Sequence, residues 1–167
     1  PVEITTVRAE LLLAQAYLDG CFFDLIDLDA FGAAGALLQP VLQVLRFEGI
    51  LFLASTDGRS PTGHDRRAAL RNLGSAARVH PASWEMALRQ QMGLLARQAW
   101  LLGRGVQPLL SFSEGRTFRL AVRLLRQLRP LEEQFLGLVA RCERCGDQQF
   151  QPLMKLRGWP PCSCSQG

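Results

Sequence analysis

Residues 22–32 read FFDLIDLDAFG, a run apolar enough for a buried strand that nevertheless carries Asp24, Asp27 and Asp29. The next two dozen residues decide the reading. A glycine-containing turn at 29–35 leads into LLQPVLQVLRF, whose apolar spacing is helical, interrupted or started near Pro40 and stopped by Gly49. ILFLAST, residues 50–56, is then a second strand, apolar along its length as strands covered on both faces are. Strand, helix and strand in so short a stretch form a βαβ unit, which requires parallel pairing. Asp27 and Asp29 therefore stand at a carboxyl end, where the ligand crevice of an open α/β sheet lies. Asp27 reads as the cap of the following helix. Asp29, followed by Ala30, Phe31 and Gly32, reads as part of a site. A carboxylate and nearby carbonyls can accept the hydrogens of an amine and free its lone pair, while an aromatic ring stacks on the ring bearing that amine.

Working outward, residues 7–19 predict a Leu- and Ala-rich helix closed by Gly20. Beyond the second strand, TDGRSPTGHD is a loop of turn formers in which His64 reads as surface. A short helix is expected over 65–73, ended by Gly74, and a long one over 81–103 between Pro81 and Gly103. Its Trp84, Met86, Met92 and Trp100 read as packing residues, and Arg89, Arg97 and Arg104 as facing either phosphate or solvent. Residues 106–129 predict two strands around Ser113-Glu114-Gly115-Arg116. In the second arm Phe118, Leu120, Val122 and Leu124 alternate with Arg119, Ala121, Arg123 and Leu125, which places arginine on a wet face.

Charge is divided along the chain. Up to Gly58 there are two Arg against eight acidic residues, and beyond it 17 basic against seven acidic. All the basic residues but Lys155 are Arg, the side chain whose planar fork suits phosphate, although base composition of a genome can also favour Arg. Arg116, Arg119, Arg123, Arg126 and Arg129 concentrate positive potential, for which an anionic polymer is the simplest partner. No run of 18 or more apolar residues and no signal sequence is present, so the expectation is a cytoplasmic protein without a membrane partner. Pro1 in the place of Met, and an end directly after a cysteine cluster, read as a piece of a longer protein.

Cys142-Glu-Arg-Cys145 has the C-x₂-C spacing of a zinc knuckle with Gly146 beside it, and Cys162-Ser-Cys164 follows with sixteen residues between the pairs. Two close pairs of thiols in a chain without a secretory signal point to structural zinc over disulfides; a redox pair and an unliganded tail are the alternatives. Cys21 stands apart and reads as core.

The order of these motifs resembles the tRNA guanine-26 N2-dimethyltransferases, S-adenosylmethionine-dependent enzymes with an Asp-Leu-Asp-Pro-Phe-Gly type motif at a strand end. Here residues 27–32 read DLDAFG. Thr56-Asp57, Gly63-His64, WEMALR at 84–89, PLLSFS, FRLAVRL and the cysteine pairs come after it in order, over nearly the whole chain. The resemblance implies that Asp29 engages the target guanine amine, that Phe31 stacks on the base beside Ala30 and Gly32, and that Cys142, Cys145, Cys162 and Cys164 hold zinc. It implies that Arg8 and Ala9 lie where the family holds the cofactor adenine with an acid and a small residue; with tRNA as the anionic polymer, the charge reading makes Arg116, Arg119 and Arg123 its expected contacts. Two departures stand out, Ala30 for the family proline and Arg8 for the acid. No G-x-G loop precedes this region. The implied fold is α/β, the later part of a Rossmann-like class I methyltransferase sheet over 1–129, then a small α+β region with a zinc knuckle from 130 to 167 that begins a tRNA-binding part. The fragment alone is expected to be inactive. A silent tRNA-binding homologue and a methyltransferase acting on another amine are the other readings.

Overall fold

The computed structural model describes residues 2–162 and 164. The chain forms two compact units that divide between Leu128 and Arg129. In the first, β1 (Phe23–Ala30) and β2 (Leu45–Ser55) pair in parallel, with α2 (Gly35–Val44) between them in sequence. The expected βαβ unit is therefore present. β3 (Val106–Glu114) and β4 (Thr117–Leu124) form a hairpin around Gly115 and Arg116, and β4 joins the sheet antiparallel to β2. The strand order is β1-β2-β4-β3. α1 (Ala9–Leu18) precedes the sheet, and α3 (Arg66–Leu73) and α4 (Ser83–Leu101) lie between β2 and β3 in sequence.

Local chemistry explains most boundaries. Asp65 caps α3 by accepting from the Ala68 N–H at 2.9 Å, and Gly74 ends it with a φ of +64°. Gly49, by contrast, does not stop a helix as expected. α2 ends at Val44, and β2 begins five residues before the expected start. Glu48 takes a left-handed φ of 64°, the β1–β2 register shifts there, and a Cβ on Gly49 would stand 2.8 Å from the Arg46 carbonyl oxygen and 3.1 Å from that of Asp24. The glycine permits a bulge inside the strand.

The core lies on one side of the sheet. Leu28, Leu51, Leu53, Leu120, Val122 and Leu124 pack against Leu38, Val41 and Leu42 of α2, Leu13 of α1 and Leu95 and Ala99 of α4. Phe118 is fully buried and stacks on Trp84, with ring centroids 5.5 Å apart. The opposite side differs from expectation. β2 is apolar on both sides, yet Phe52 is 42% exposed, and Phe23, Leu25, Leu110 and Phe112 are exposed with it. Cys21, expected in the core, is exposed in the link between α1 and β1.

The second unit contains a short helical turn at Glu132–Phe135 and the hairpin of β5 (Gly137–Arg141) and β6 (Gln148–Pro152). Gly137 is the close-approach position here, because a Cβ would overlap the Gln151 carbonyl oxygen across the pair.

Candidate functional site

β1 carries its alternation to the last residue: Leu28 enters the core, while Asp27 and Asp29 fall on the open side and are exposed. Asp27 does not cap α2. The residue at that cap is Ala34, which makes no side-chain capping bond, and Asp27 instead borders a concavity of about 340 Å³ with Phe52, Leu110, Phe112 and Arg119.

Past Asp29 the chain turns sharply, with Gly32 at a φ of +75°. Its peptide groups are tied to the end of β2. The Gly32 N–H donates to Thr56 Oγ1 at 2.7 Å, and its carbonyl accepts from Ser55 Oγ at 2.9 Å and from the Asp57 N–H at 3.3 Å. Asp57 is itself fixed, accepting from the Ser60 N–H at 3.0 Å. Three bonds from one strand end hold a turn that has no proline to stiffen it. The Phe31 ring stands wholly in solvent beside Asp29. A carboxylate and an exposed aromatic plane on a tethered turn can grip the amine edge and the face of a planar ring.

Sequence reasoning does not identify Ser55 and Thr56 as tethers. The signal that could have found them is a pair of hydroxyl residues ending an otherwise apolar strand, since hydroxyls placed there must bond to something local.

The other expected residues spread out. Arg8 stands at the N-terminus of α1, where its guanidinium meets Glu10 at 3.3 Å, and Ala9 begins the helix; no side-chain contact ties Arg8 to the Asp29 turn. The Glu10 carboxyl lies below its usual range, first through its own backbone N–H and then through Arg8. Arg116 occupies the β3–β4 turn. Arg119 is exposed in the register row Asp29, Ala54, Arg119, Phe112, so it shares the open side with Asp29. Arg123, half-buried, donates to Gln107 at 3.5 Å. These arginines thus lie among apolar residues and not on a purely wet face. Arg104 is drawn inward, donating to the Leu42 carbonyl at 2.7 Å and lying over Phe47, and desolvation lowers its pKa. Exposed His64 meets Thr62 Oγ1 at 2.9 Å.

In the second unit the β5–β6 turn is the C-x₂-C loop. Gly146 takes a φ of +79° and donates to the Cys142 carbonyl at 3.0 Å, while the Cys142 N–H donates to the Asp147 carbonyl at 2.8 Å. The second pair folds onto the first: Cys162 Sγ lies 3.3 Å from Cys142 Sγ and 3.0 Å from Cys164 Sγ, and all four sulfurs fall within 4.8 Å of one another. Backbone N–H of Cys145, then the Cys162 thiol and the Arg144 N–H, lower Cys142 to about 6, whereas the Cys162 side chain foremost pushes Cys164 up. Of these two sulfurs, Cys142 is therefore the one more readily ionised. Zinc takes four thiolates with bonds of about 2.3 Å, and these four sulfurs lie close enough together to converge on one such ion.

Comparison with known proteins agrees with the fold. The family model described as N2,N2-dimethylguanosine tRNA methyltransferase matches residues 2–165. A tRNA (guanine(26)-N(2))-dimethyltransferase of Pyrobaculum arsenaticum is 31% identical over 140 residues, covering 80% of this chain and 39% of that protein. The Schizosaccharomyces pombe protein of the same description is 30% identical over 146 residues, 85% of this chain and 26% of its own length. A solved structure described as a complex of Trm1 from Pyrococcus horikoshii with S-adenosyl-L-methionine superposes with a TM-score of 0.85 at 26% identity, over 94% of this chain and 42% of that one. The chain therefore spans about two fifths or less of the length of these relatives.

Proposed function

The chain belongs to the N2,N2-dimethylguanosine tRNA methyltransferase family, and on that premise we propose that it forms the base-gripping and RNA-binding portion of an enzyme that methylates the exocyclic N2 of guanine 26 in tRNA. The turn of Asp29 to Gly32, held to the end of β2 through Gly32, is the observation that carries the reading.

Asp29 accepts an amine hydrogen of the guanine, which leaves the N2 lone pair pointing away from the carboxylate and free to attack. Phe31 stacks on the base, and Ala30 and Gly32 keep the turn narrow enough for the base to approach. After transfer the nitrogen sheds its proton, for which the Asp29 carboxylate is the nearest acceptor on this turn. S-adenosylmethionine, the donor implied by the family, supplies a methyl already activated by a sulfonium, so positioning accounts for most of the catalysis. Among the described residues nothing forms a glycine-rich cradle for it, and Arg8, paired with Glu10, offers no carboxylate to an adenine amine. The residues of this chain act on the acceptor. We further propose that residues 1–129 complete a methyltransferase sheet, that 130–167 begin a tRNA-binding part, that Arg116, Arg119 and Arg123 contribute positive potential toward tRNA, and that Cys142, Cys145, Cys162 and Cys164 hold a structural zinc.

Asp29→Asn in the full-length protein tests the catalytic assignment. Methyl transfer under single-turnover conditions should fall by at least about a hundredfold, in the range lost with one well-placed electrostatic group, while tRNA affinity stays near wild type. Near-normal single-turnover rates would remove Asp29 from the mechanism. Arg8 and Ala30 also suit a silent tRNA-binding homologue; that reading predicts tRNA binding by the wild type with no methyl transfer at all.

A further inference from the structure

We propose that the arginine-bearing surface of α3, together with the groove running from it to the residues behind Gly32, seats the tRNA backbone phosphates next to the target base; this rests on the reading of the chain as part of a tRNA-modifying enzyme.

Residues 59–80 hold Arg59, Arg66, Arg67, Arg71 and Arg78 against a single acid, Asp65, and that carboxylate is engaged as the cap of α3. Arg59, Arg66, Arg67 and Arg71 are exposed, and none makes a side-chain hydrogen bond or ion pair among the described residues. Arg67 and Arg71 are four apart on one helix. Like charges at that spacing repel and weaken a helix, whereas a glutamate in either place would strengthen it. Packing does not call for them, because α3 buries only Ala69 and Leu73.

The platform beneath these arginines is well tied. The Arg97 guanidinium donates to the Leu73 carbonyl and presses on Gly74, where a Cβ would meet Arg97 Nη1 at 2.9 Å. Gly63 packs so closely that a Cβ there would stand 2.8 Å from the Ala77 carbonyl oxygen. Unpaired guanidinium groups on a fixed support lose little freedom when they bind an anion.

Location supplies the link to the site. A groove of about 870 Å³ is lined by Arg71, Asn72, Arg97 and Gln98 together with Ala33, Gly35 and the apolar Leu94, Trp100 and Leu101, and among the described residues no carboxylate borders it. Ala33 directly follows Gly32, so the groove opens one residue beyond the turn that carries Asp29 and Phe31. A nucleotide whose base lies on that turn must lead its sugar–phosphate chain away across an adjoining surface. Here that surface offers two guanidinium groups and two side-chain amides beside apolar residues, and among the described residues no acid. Arg forks bind phosphate oxygens in pairs, and such contacts fix register without reading sequence.

The test uses the full-length protein carrying Arg67→Gln and Arg71→Gln, with tRNA binding measured against salt. Each lost phosphate contact removes a counterion-release contribution, so the log–log slope should become shallower by about 0.7 to 0.9 per residue, and affinity should fall alike for all tRNAs. Arg67→Lys with Arg71→Lys should keep the wild-type slope. A folded Gln pair with unchanged slope and affinity overturns the proposal, as does a Lys pair that loses the slope as fully as the Gln pair, since that would mark a structural role. If the wild type methylates tRNA while the Gln pair binds normally, this surface alone is wrong. A wild type that binds no tRNA overturns both this surface and the function from which it was argued.

Discussion

At the scale of the residue, the site depends on how Gly32 is held. Thr56 Oγ1 accepts its N–H and Ser55 Oγ donates to its carbonyl. Thr56→Val keeps the shape and removes the acceptor. A net hydrogen bond contributes about 1 kcal/mol, so the melting temperature should move only slightly, while a loosened turn displaces Asp29 and Phe31 from the reacting geometry. The methyl-transfer rate of the full-length variant should therefore drop about tenfold, which corresponds to about 1.4 kcal/mol of lost transition-state stabilisation. A rate loss matched wholly by a loss of folded protein would show that the tether serves stability alone. The turn that presents Asp29 was legible in the sequence because its signal is local: an acid near the end of a strand, then a small residue, an aromatic and a glycine. The tethers were not, since Ser55 and Thr56 acquire their partners only when β2 lies beside β1, 23 and 24 positions away in sequence from Gly32.

At the scale of the element, the parallel β1–β2 pair, the hairpin at Gly115 and the three longer helices could be read from periodicity and punctuation. Gly49 could not. In sequence it looks like a helix stop, and its actual task arises from the bulge, where the Arg46 carbonyl of its own strand and the Asp24 carbonyl of the neighbouring one approach too closely for a side chain. Gly49→Ala should therefore cost about 1 to 3 kcal/mol by forcing the bulge apart, read as an earlier unfolding midpoint in urea with an unchanged slope. Cys21 misled for a related reason. Free cysteine is among the residue types most often buried, but the link it occupies runs along the outside. Which side of an evenly apolar strand is covered is likewise absent from the strand itself, because coverage belongs to whatever packs on it.

At the scale of the whole molecule, two compact units rest on different physics: an apolar core up to Leu128, and from Arg129 a small unit around four sulfurs. The purified protein should contain about one equivalent of zinc, because a site that forms only on folding couples metal binding to folding. Chelation should melt the second unit while the circular dichroism of the first persists, and Cys142→Ser should reproduce that state. Metal analysis finding none in fresh, reduced protein would leave only redox or unliganded roles for the cysteines.

The uncovered side of the sheet has a consequence for handling the polypeptide. Phe23, Leu25, Phe52, Leu110 and Phe112 form an oily plate on a molecule whose remaining surface is crowded with arginine. Plates of this kind act as glue in solution. Prepared as residues 1–167 alone, the chain should light up the dye ANS, elute from a sizing column as a concentration-dependent mixture, and become better behaved when Phe52 and Leu110 are replaced by Thr, with helix content unchanged. A monodisperse, dye-silent preparation would mean that the plate finds cover within the chain itself.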